Sequence, residues 1–442
     1  DIDYYEVPTP SSEIMFLTTM QQGQFLESFF TLNFSRRFNV SFAYTGLRSL
    51  GNYRQSLVSQ GNFRTTFHYE TKEGQYTVRG HLTTHDILNE ESGGLTTESL
   101  DAFINNDPNF TDRARLDVNI DDTENSFEGS RVYFEHDYKL LSSKDSLSKK
   151  DFTNLKIGHA LTSEQKSYEF RQSSTTDFLG TTNFTGSFTD RVENSFLKNQ
   201  FFIEFNSKYI LGTFRVKSSL MSYSYGYKEI INQNSGITKR KLEGNGASFG
   251  ADWKAKVKQF QLDATGEITP GNGRLSGTNL QGNLSYKKDS LFTINASVLL
   301  NSKSPNFNFL LHQSTYDEYN WENNFDNVRT QNLGFQLNSK WLNYWFKEKP
   351  MQVQIGATFN YFTKYNANAY NPILSEFTLQ DSQEIGFPSI DLFFNAQVRR
   401  TRIYFRIDNA LSELGERNYF SAPNYPYRDF TIRFGLVWNW FI

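Results

Sequence analysis

The chain closes on YRDFTIRFGLVWNWFI, Tyr427 to Ile442, in which Phe430, Ile432, Phe434, Leu436, Trp438, Trp440 and Ile442 occupy every second position. Alternate side chains of an extended strand share a face, so this run opposes large apolar groups to Thr431, Arg433, Gly435 and Asn439. Such a strand requires an apolar medium on one side and a wet one on the other. The pattern recurs in FLESFFTLNFS, where Leu26, Phe30, Leu32 and Phe34 oppose Glu27, Thr31, Asn33 and Ser35. It returns in MQVQIGATFNY, with Val353, Ile355, Ala357, Phe359 and Tyr361 against Gln352, Gln354, Gly356, Thr358 and Asn360.

Segments of about ten alternating residues separated by turn residues are the signature of a transmembrane β-barrel, and roughly 9–11 residues cross a bilayer at a tilt. The pattern predicts strands near 12–20, 24–35, 38–47, 62–71, 76–86, 127–141, 153–172, 195–207, 211–225, 246–257, 260–268, 277–287, 290–302, 328–345, 351–366, 385–398, 401–411 and 428–442. The expected fold is all-β: a transmembrane antiparallel up-and-down barrel of about 18 strands, with 16 as the lower count. A soluble propeller or sandwich pair is the competing reading. Against it stand the lack of a repeat near 40 residues and an aromatic content of 16% beside a mean hydropathy of -0.59. No segment has the 18 or so unbroken apolar residues of a spanning helix, and no linker divides the chain, so residues 1–442 read as one barrel domain.

Connection lengths give a second test. Short links near Arg36, Lys72, Lys208, Lys288, Lys347 and Arg400 alternate with long ones at 48–61, 87–126, 173–194, 226–245, 303–327, 367–384 and 412–427, the exceptions being a short outside link at Gln21 to Gly23 and a long inside one at 142–152. Outer-membrane barrels carry short periplasmic turns and long outside loops. The parity therefore predicts both termini on the periplasmic side, the last strand closing against the first, and 87–126 as an extracellular or lumen-folding loop. Trp253, Trp341, Trp345, Trp438 and Trp440 then fall at the periplasmic ends of lipid-facing strand faces, where an amphipathic ring suits the interface.

Alternation assigns Arg64, Arg79, Arg131, Glu135, Asp137, Lys139, Glu204, Arg215, Lys217, Asp391, Arg402, Arg406 and Arg433 to the inner face. An Arg or Lys facing lipid at the midplane costs about 2–4 kcal/mol. These charges consequently line an aqueous pore or pair across a narrow lumen. At 16 to 18 strands the size expectation favours an aqueous channel.

Other chemistries find little support. A net charge of -3 gives nucleic acid no electrostatic claim, and zero Cys excludes disulfides and thiolate metal sites. His81 and His85, four apart on a strand, stand roughly 13 Å from each other, too far to share a metal. Loop 87–126 is acidic, with Asp107, Asp112, Asp117, Asp121, Asp122 and Glu124, but lacks the glycine and glutamate positions of an EF-hand. No GxSxG, HExxH or phosphate-cradling loop occurs. No catalytic residue, metal or cofactor is assigned.

The sequence begins at Asp1 without Met or a signal-like stretch, which reads as a mature or trimmed chain. Only about ten residues precede the first strand, fewer than the globular plug of an active-transport receptor needs.

YYEVPTPSSE near the start, SPNFNFLLHQSTYDEYNWENNF from Ser304 to Phe325 and the closing YPYRDFTIRFGLVWNWF resemble the putative porin family of Bacteroidota outer membranes. Members typically carry a further segment ahead of the YYEVPTP stretch. The resemblance implies an outer-membrane barrel. Two functions remain open: a passive diffusion channel for small hydrophilic solutes, or a non-conducting barrel subunit of a larger outer-membrane assembly or secretion complex. The expected partners are outer-membrane lipid, solutes in the first case, and other outer-membrane proteins or lipoproteins in the second.

Overall fold

A computed structural model describes residues 2–19, 23–144, 151–207, 211–232, 235–288, 292–339, 351–361, 364–381, 383–398, 400–412, 419–427 and 429–441. Among them, 18 strands form one antiparallel sheet. In chain order these are β1 (Ser11–Thr19), β2 (Gly23–Ser35), β3 (Phe38–Ser49), β4 (Val58–Glu70), β5 (Tyr76–Glu91), β6 (Thr123–Lys144), β7 (Asp151–Gln172), β8 (Phe188–Ser207) and β9 (Gly212–Gly226). They continue as β10 (Lys241–Val257), β11 (Phe260–Thr269), β12 (Gly277–Lys288), β13 (Phe292–Lys303), β14 (Val328–Ser339), β15 (Met351–Tyr361), β16 (Pro388–Val398), β17 (Thr401–Asp408) and β18 (Thr431–Phe441).

Sequential neighbours pair from β1 through β14 and again from β15 through β18. The two ends of the chain meet as well: β18 lies against β1 from Ser11 opposite Phe441 to Thr19 opposite Arg433. That pairing joins the two runs into one continuous sheet of the barrel and removes the edges that the first and last strands would otherwise present.

The two faces of the sheet differ as the alternation requires. One carries exposed apolar side chains around the ring, among them Leu333 at 83%, Ile355 at 77% and Phe335 at 74% exposure. A patch of this extent is incompatible with water and suits lipid. On β6 the outward residues Leu140, Tyr138, His136, Phe134 and Val132 precede the polar Ser130. That run measures about 26 Å along the strand and about 20 Å in height after barrel tilt, close to the expected apolar band.

Strands β5 to β8 continue beyond the band, which lengthens them past the segments 76–86 and 127–141 read from the pattern. There the outward face is no longer apolar. Arg171 meets Glu124 at 2.9 Å and Glu169, while Arg191 meets Glu169 and, at 3.0 Å, Glu193. With the outward face polar and the inward one mixing Phe170, Phe188 and Val192 with polar residues, the period-2 signal loses its contrast although the ladder persists. The link at 92–122 is correspondingly shorter than 87–126.

One end of the barrel has tight links. At 258–259 a two-residue turn joins Val257 to Phe260, with Lys258 at φ 52, the left-handed geometry that matches strand twist. The other end carries the long links 92–122, 173–187, 227–240, 304–327, 362–387 and 409–430. These pack on one another in three buried clusters, the largest uniting Leu95, Phe103, Leu116, Ala367, Ile385, Tyr419 and Phe420.

Candidate functional site

The concave face of the barrel is the polar one. Two ion pairs that skip intervening strands show which side is concave: Arg215 of β9 reaches Glu135 of β6 at 3.8 Å, and Lys198 of β8 reaches Glu267 of β11 at 3.4 Å. Side chains on a convex surface diverge and could not meet this way. The ladder places Arg79 opposite Glu135, and their side chains pair at 2.8 Å. Glu135 is buried and also accepts from the Tyr133 hydroxyl. Arg215 binds Glu204 at 2.6 Å with its guanidinium 4.0 Å from the centre of the Phe202 ring, a cation–π contact. Phe202 lies across Gly158 of the neighbouring strand, where a Cβ would stand 2.2 Å from the ring.

The same compensation continues around this wall. Arg131 and Lys166 share Glu164 at 3.6 and 3.0 Å, Lys156 pairs with Asp137 at 3.1 Å, and Lys217 holds Asp252 at 2.7 Å and Glu267 at 3.7 Å. Across the β16–β18 seam, Arg406 binds Asp391 and Asp408, each at 2.7 Å, and Arg433 binds Asp408 as well. Arg64 and Arg402 have no ion pair among the described residues. Strands β12 to β15 are chemically different. Apart from Leu299, Gly334 and Gly356, their described mid-strand inward positions carry amides and hydroxyls, including Asn279, Gln281, Asn295, Asn332, Gln336, Gln354 and Thr358.

The segment before β1 turns into this interior. Tyr4 Oη lies 2.9 Å from His81 Nδ1 under the Arg79 guanidinium, and the Tyr5 ring packs 4.7 Å from that of Phe29.

The mouth at the long-link end is crossed by a hairpin arm from link 362–387. Its two short ladders pair Tyr365–Asn366 with Glu384–Ile385 and Ala369–Asn371 with Glu376–Thr378. At the tip, Asn371 Oδ1 accepts from the backbone N–H of Ile373 and Leu374, an Asx turn that folds the chain back. The arm springs from β15 and β16, yet its tip docks on β5 to β7, half-way round the ring. Tyr370 donates to Glu91 at 2.7 Å, Asn125 donates to Ser375 Oγ at 3.0 Å, and the Tyr168 hydroxyl meets Ser375 Oγ at 2.9 Å and the Ile373 carbonyl at 3.2 Å. Ile373 is buried with Ile120, Phe170, Leu179 and Tyr316. Burial, then the Glu91 charge, raises the Tyr370 hydroxyl well above its usual range, keeping it a donor. A barrel of this strand number is roughly 35 Å across. The arm therefore spans the opening.

Link 92–122 closes in from the side. Its helix α1 (Thr97–Ile104) starts at the Thr96 cap and buries Phe103. Arg113 pairs with Asp429 at 3.0 Å and lies over Phe103. Gly94 takes a φ of +81 and has Asn424 backbone 2.9 Å from where its Cβ would stand, which lets Leu95 donate to the Asn424 carbonyl. The acidic side chains here are engaged locally: Asp107 and Asp112 cap one-turn helices, Asp117 pairs with Arg54 and Asp122 accepts from Ser174.

The sequence profile of the family described as "Putative porin" matches residues 1–347 and 343–441. The chain belongs to the putative porin family. Among curated proteins, none matches the sequence. Solved structures share the fold at low identity. A mutant of the ferric enterobactin receptor PfeA of Pseudomonas aeruginosa, bound to enterobactin, superposes with a TM-score of 0.62 at 9% identity over 99% of this chain and 82% of that one. The ferric-catecholate import receptor Fiu of E. coli K12 gives 0.59 at 10% identity over 98% and 82%. The siderophore receptor PirA of Acinetobacter baumannii gives 0.53 at 10% over 99% and 81%.

In this putative porin, Trp253 and Trp438 stand on the apolar face at 37% and 49% exposure. Trp341 and Trp345 lie outside the described residues, as does the side chain of Trp440. Trp321 is in the cap, stacked on His312, whose burial pushes it down to about 4. Sequence reasoning missed the arm. Its anchors Glu91, Asn125, Tyr168 and Tyr370 lie far apart in sequence and share no motif; only the length of link 367–384 hinted at it.

Proposed function

We propose that this putative porin is an outer-membrane channel for passive diffusion of small hydrophilic solutes, with the long links and the arm outside the cell and both ends of the strand series at the periplasm. The observation that carries this reading is the continuous polar concave wall enclosed by an apolar belt. A wall bearing Arg64, Arg79, Arg131, Glu135, Glu204, Arg215, Lys217, Asp391, Arg402, Arg406 and Arg433 calls for water on that side. Trp253 and Trp438 then anchor the periplasmic interface. The arm acts as a lid, and its opening governs entry. The family assignment supports a transport role rather than an enzymatic one.

The depth of packing at the mouth favours a second reading, a non-conducting barrel that serves as a subunit of an outer-membrane assembly. Single-channel conductance in planar bilayers separates the two. The channel reading predicts discrete conductance steps, shifted toward cation preference in Arg402→Ala and in Arg433→Ala, the latter leaving Asp408 short of a partner. Silence from folded protein, with the arm released by Tyr370→Phe and Ser375→Ala together, contradicts it.

A further inference from the structure

The interior has two walls of opposite electrical character, and together they point to a solute class. On β5 to β11, cations sit within ion-pair distance of carboxylates, as in the Arg79–Glu135 and Lys217–Asp252 pairs. On β16 to β18, Arg406 and Arg433 share Asp408. An ion entering a narrow lumen sheds part of its hydration, and selectivity filters replace it with uncompensated charge or aligned carbonyls. Here most of the charge is already spent between neighbours, and Arg64 and Arg402 are inner-face cations left without an ion pair among the described residues.

The wall of β12 to β15 supplies a different chemistry. Asn279, Gln281, Asn283, Asn332, Gln336 and Gln354 face inward, and of these Gln281, Asn283, Asn332, Gln336 and Gln354 are exposed. Each amide offers two donors and an acceptor with two lone pairs. Their mutual bonds are long, 3.3 Å for Asn295 to Gln336 and for Asn395 to Gln354, which leaves capacity for a visitor. A sugar hydroxyl is likewise donor and acceptor, so it exchanges for water on such a surface at little net cost.

From a wall whose charges are mostly paired with one another, facing an amide-rich one, we infer that the channel favours uncharged polyhydroxylated solutes, saccharides, over ions of either sign. The inference rests on the channel reading and deepens it. The test uses the full chain, as wild type and with the arm released by Tyr370→Phe and Ser375→Ala, in liposomes swollen by equal osmolalities of sucrose, sodium gluconate or glucosamine hydrochloride. Reversal potentials in a KCl gradient are measured alongside.

The expected result is sucrose entry at least as fast as either charged solute and a potassium-to-chloride permeability ratio within about twofold of unity. Adding carboxylates with Asn332→Asp and Gln336→Glu raises that ratio several-fold and slows sucrose. Faster entry of one charged solute than of sucrose, or a wild-type ratio beyond about fivefold in either direction, overturns the inference while leaving a channel. No flux of any solute through the folded, arm-released protein overturns the channel reading and this inference with it.

Discussion

Glu135 shows how much a single side chain carries in this interior. It is buried between Arg79 and Arg215 and takes the Tyr133 hydroxyl, so it neutralises Arg79 and gives Arg215 a second carboxylate beside Glu204. Removing the carboxylate takes a charged hydrogen-bond partner from Arg79, which is 41% exposed, and leaves Arg215 with Glu204, at about 1.5–3 kcal/mol. Glu135→Gln should therefore lower the unfolding free energy by about that amount in urea titrations of the lipid-inserted barrel. It should also move the reversal potential toward anion preference. An unchanged midpoint would show that the cluster is not structural. That these residues share one face of their strands was legible from parity alone, since one residue of register reverses every side chain. Their partners were not: Arg79 and Glu135 are 56 positions apart, and only the ladder brings them together.

At the scale of the strand, alternation was readable wherever lipid is on one side, as in β15 and β18. It fell short at the outer parts of β5, β6 and β8, though not of β7; there the Arg171, Glu169 and Arg191 network replaces apolar residues on the convex face. The signal reports the medium on each side of the strand, and the backbone ladder only indirectly. A pair of adjacent substitutions on β14 makes the point testable. Phe335→Lys places an ammonium in the apolar belt and should cost about 2–4 kcal/mol if near the midplane. Gln336→Lys, one residue on and facing the interior, should cost less than about 1 kcal/mol. Equal losses in the two variants would mean that the faces are assigned wrongly.

At the scale of the molecule, the chain builds a wide barrel and then narrows it from both ends. The segment bearing Tyr4 and Tyr5 lies against the inner wall near the tight-turn end, and the hairpin arm crosses the mouth at the other. Neither feature has a periodic signature, because each is fixed by contacts between residues remote in sequence. The tip of the arm is held by hydrogen bonds at Tyr370, Asn371, Ser375 and Glu376 and by the buried Ile373, and its base by Ala367 and Ile385 in the largest cluster, all of them contacts to the cap and the upper wall. Such a latch is suited to opening without unfolding the barrel. The absence of Cys from the sequence allows the arm to be locked with a single introduced pair. In Asn125→Cys, Ser375→Cys protein, the account predicts that a disulfide forms on oxidation, that conductance in planar bilayers then falls well below that of the reduced protein, and that reductant restores it. Equal conductance in the two states, with the disulfide verified by mass spectrometry, would contradict the claim that this arm gates the channel.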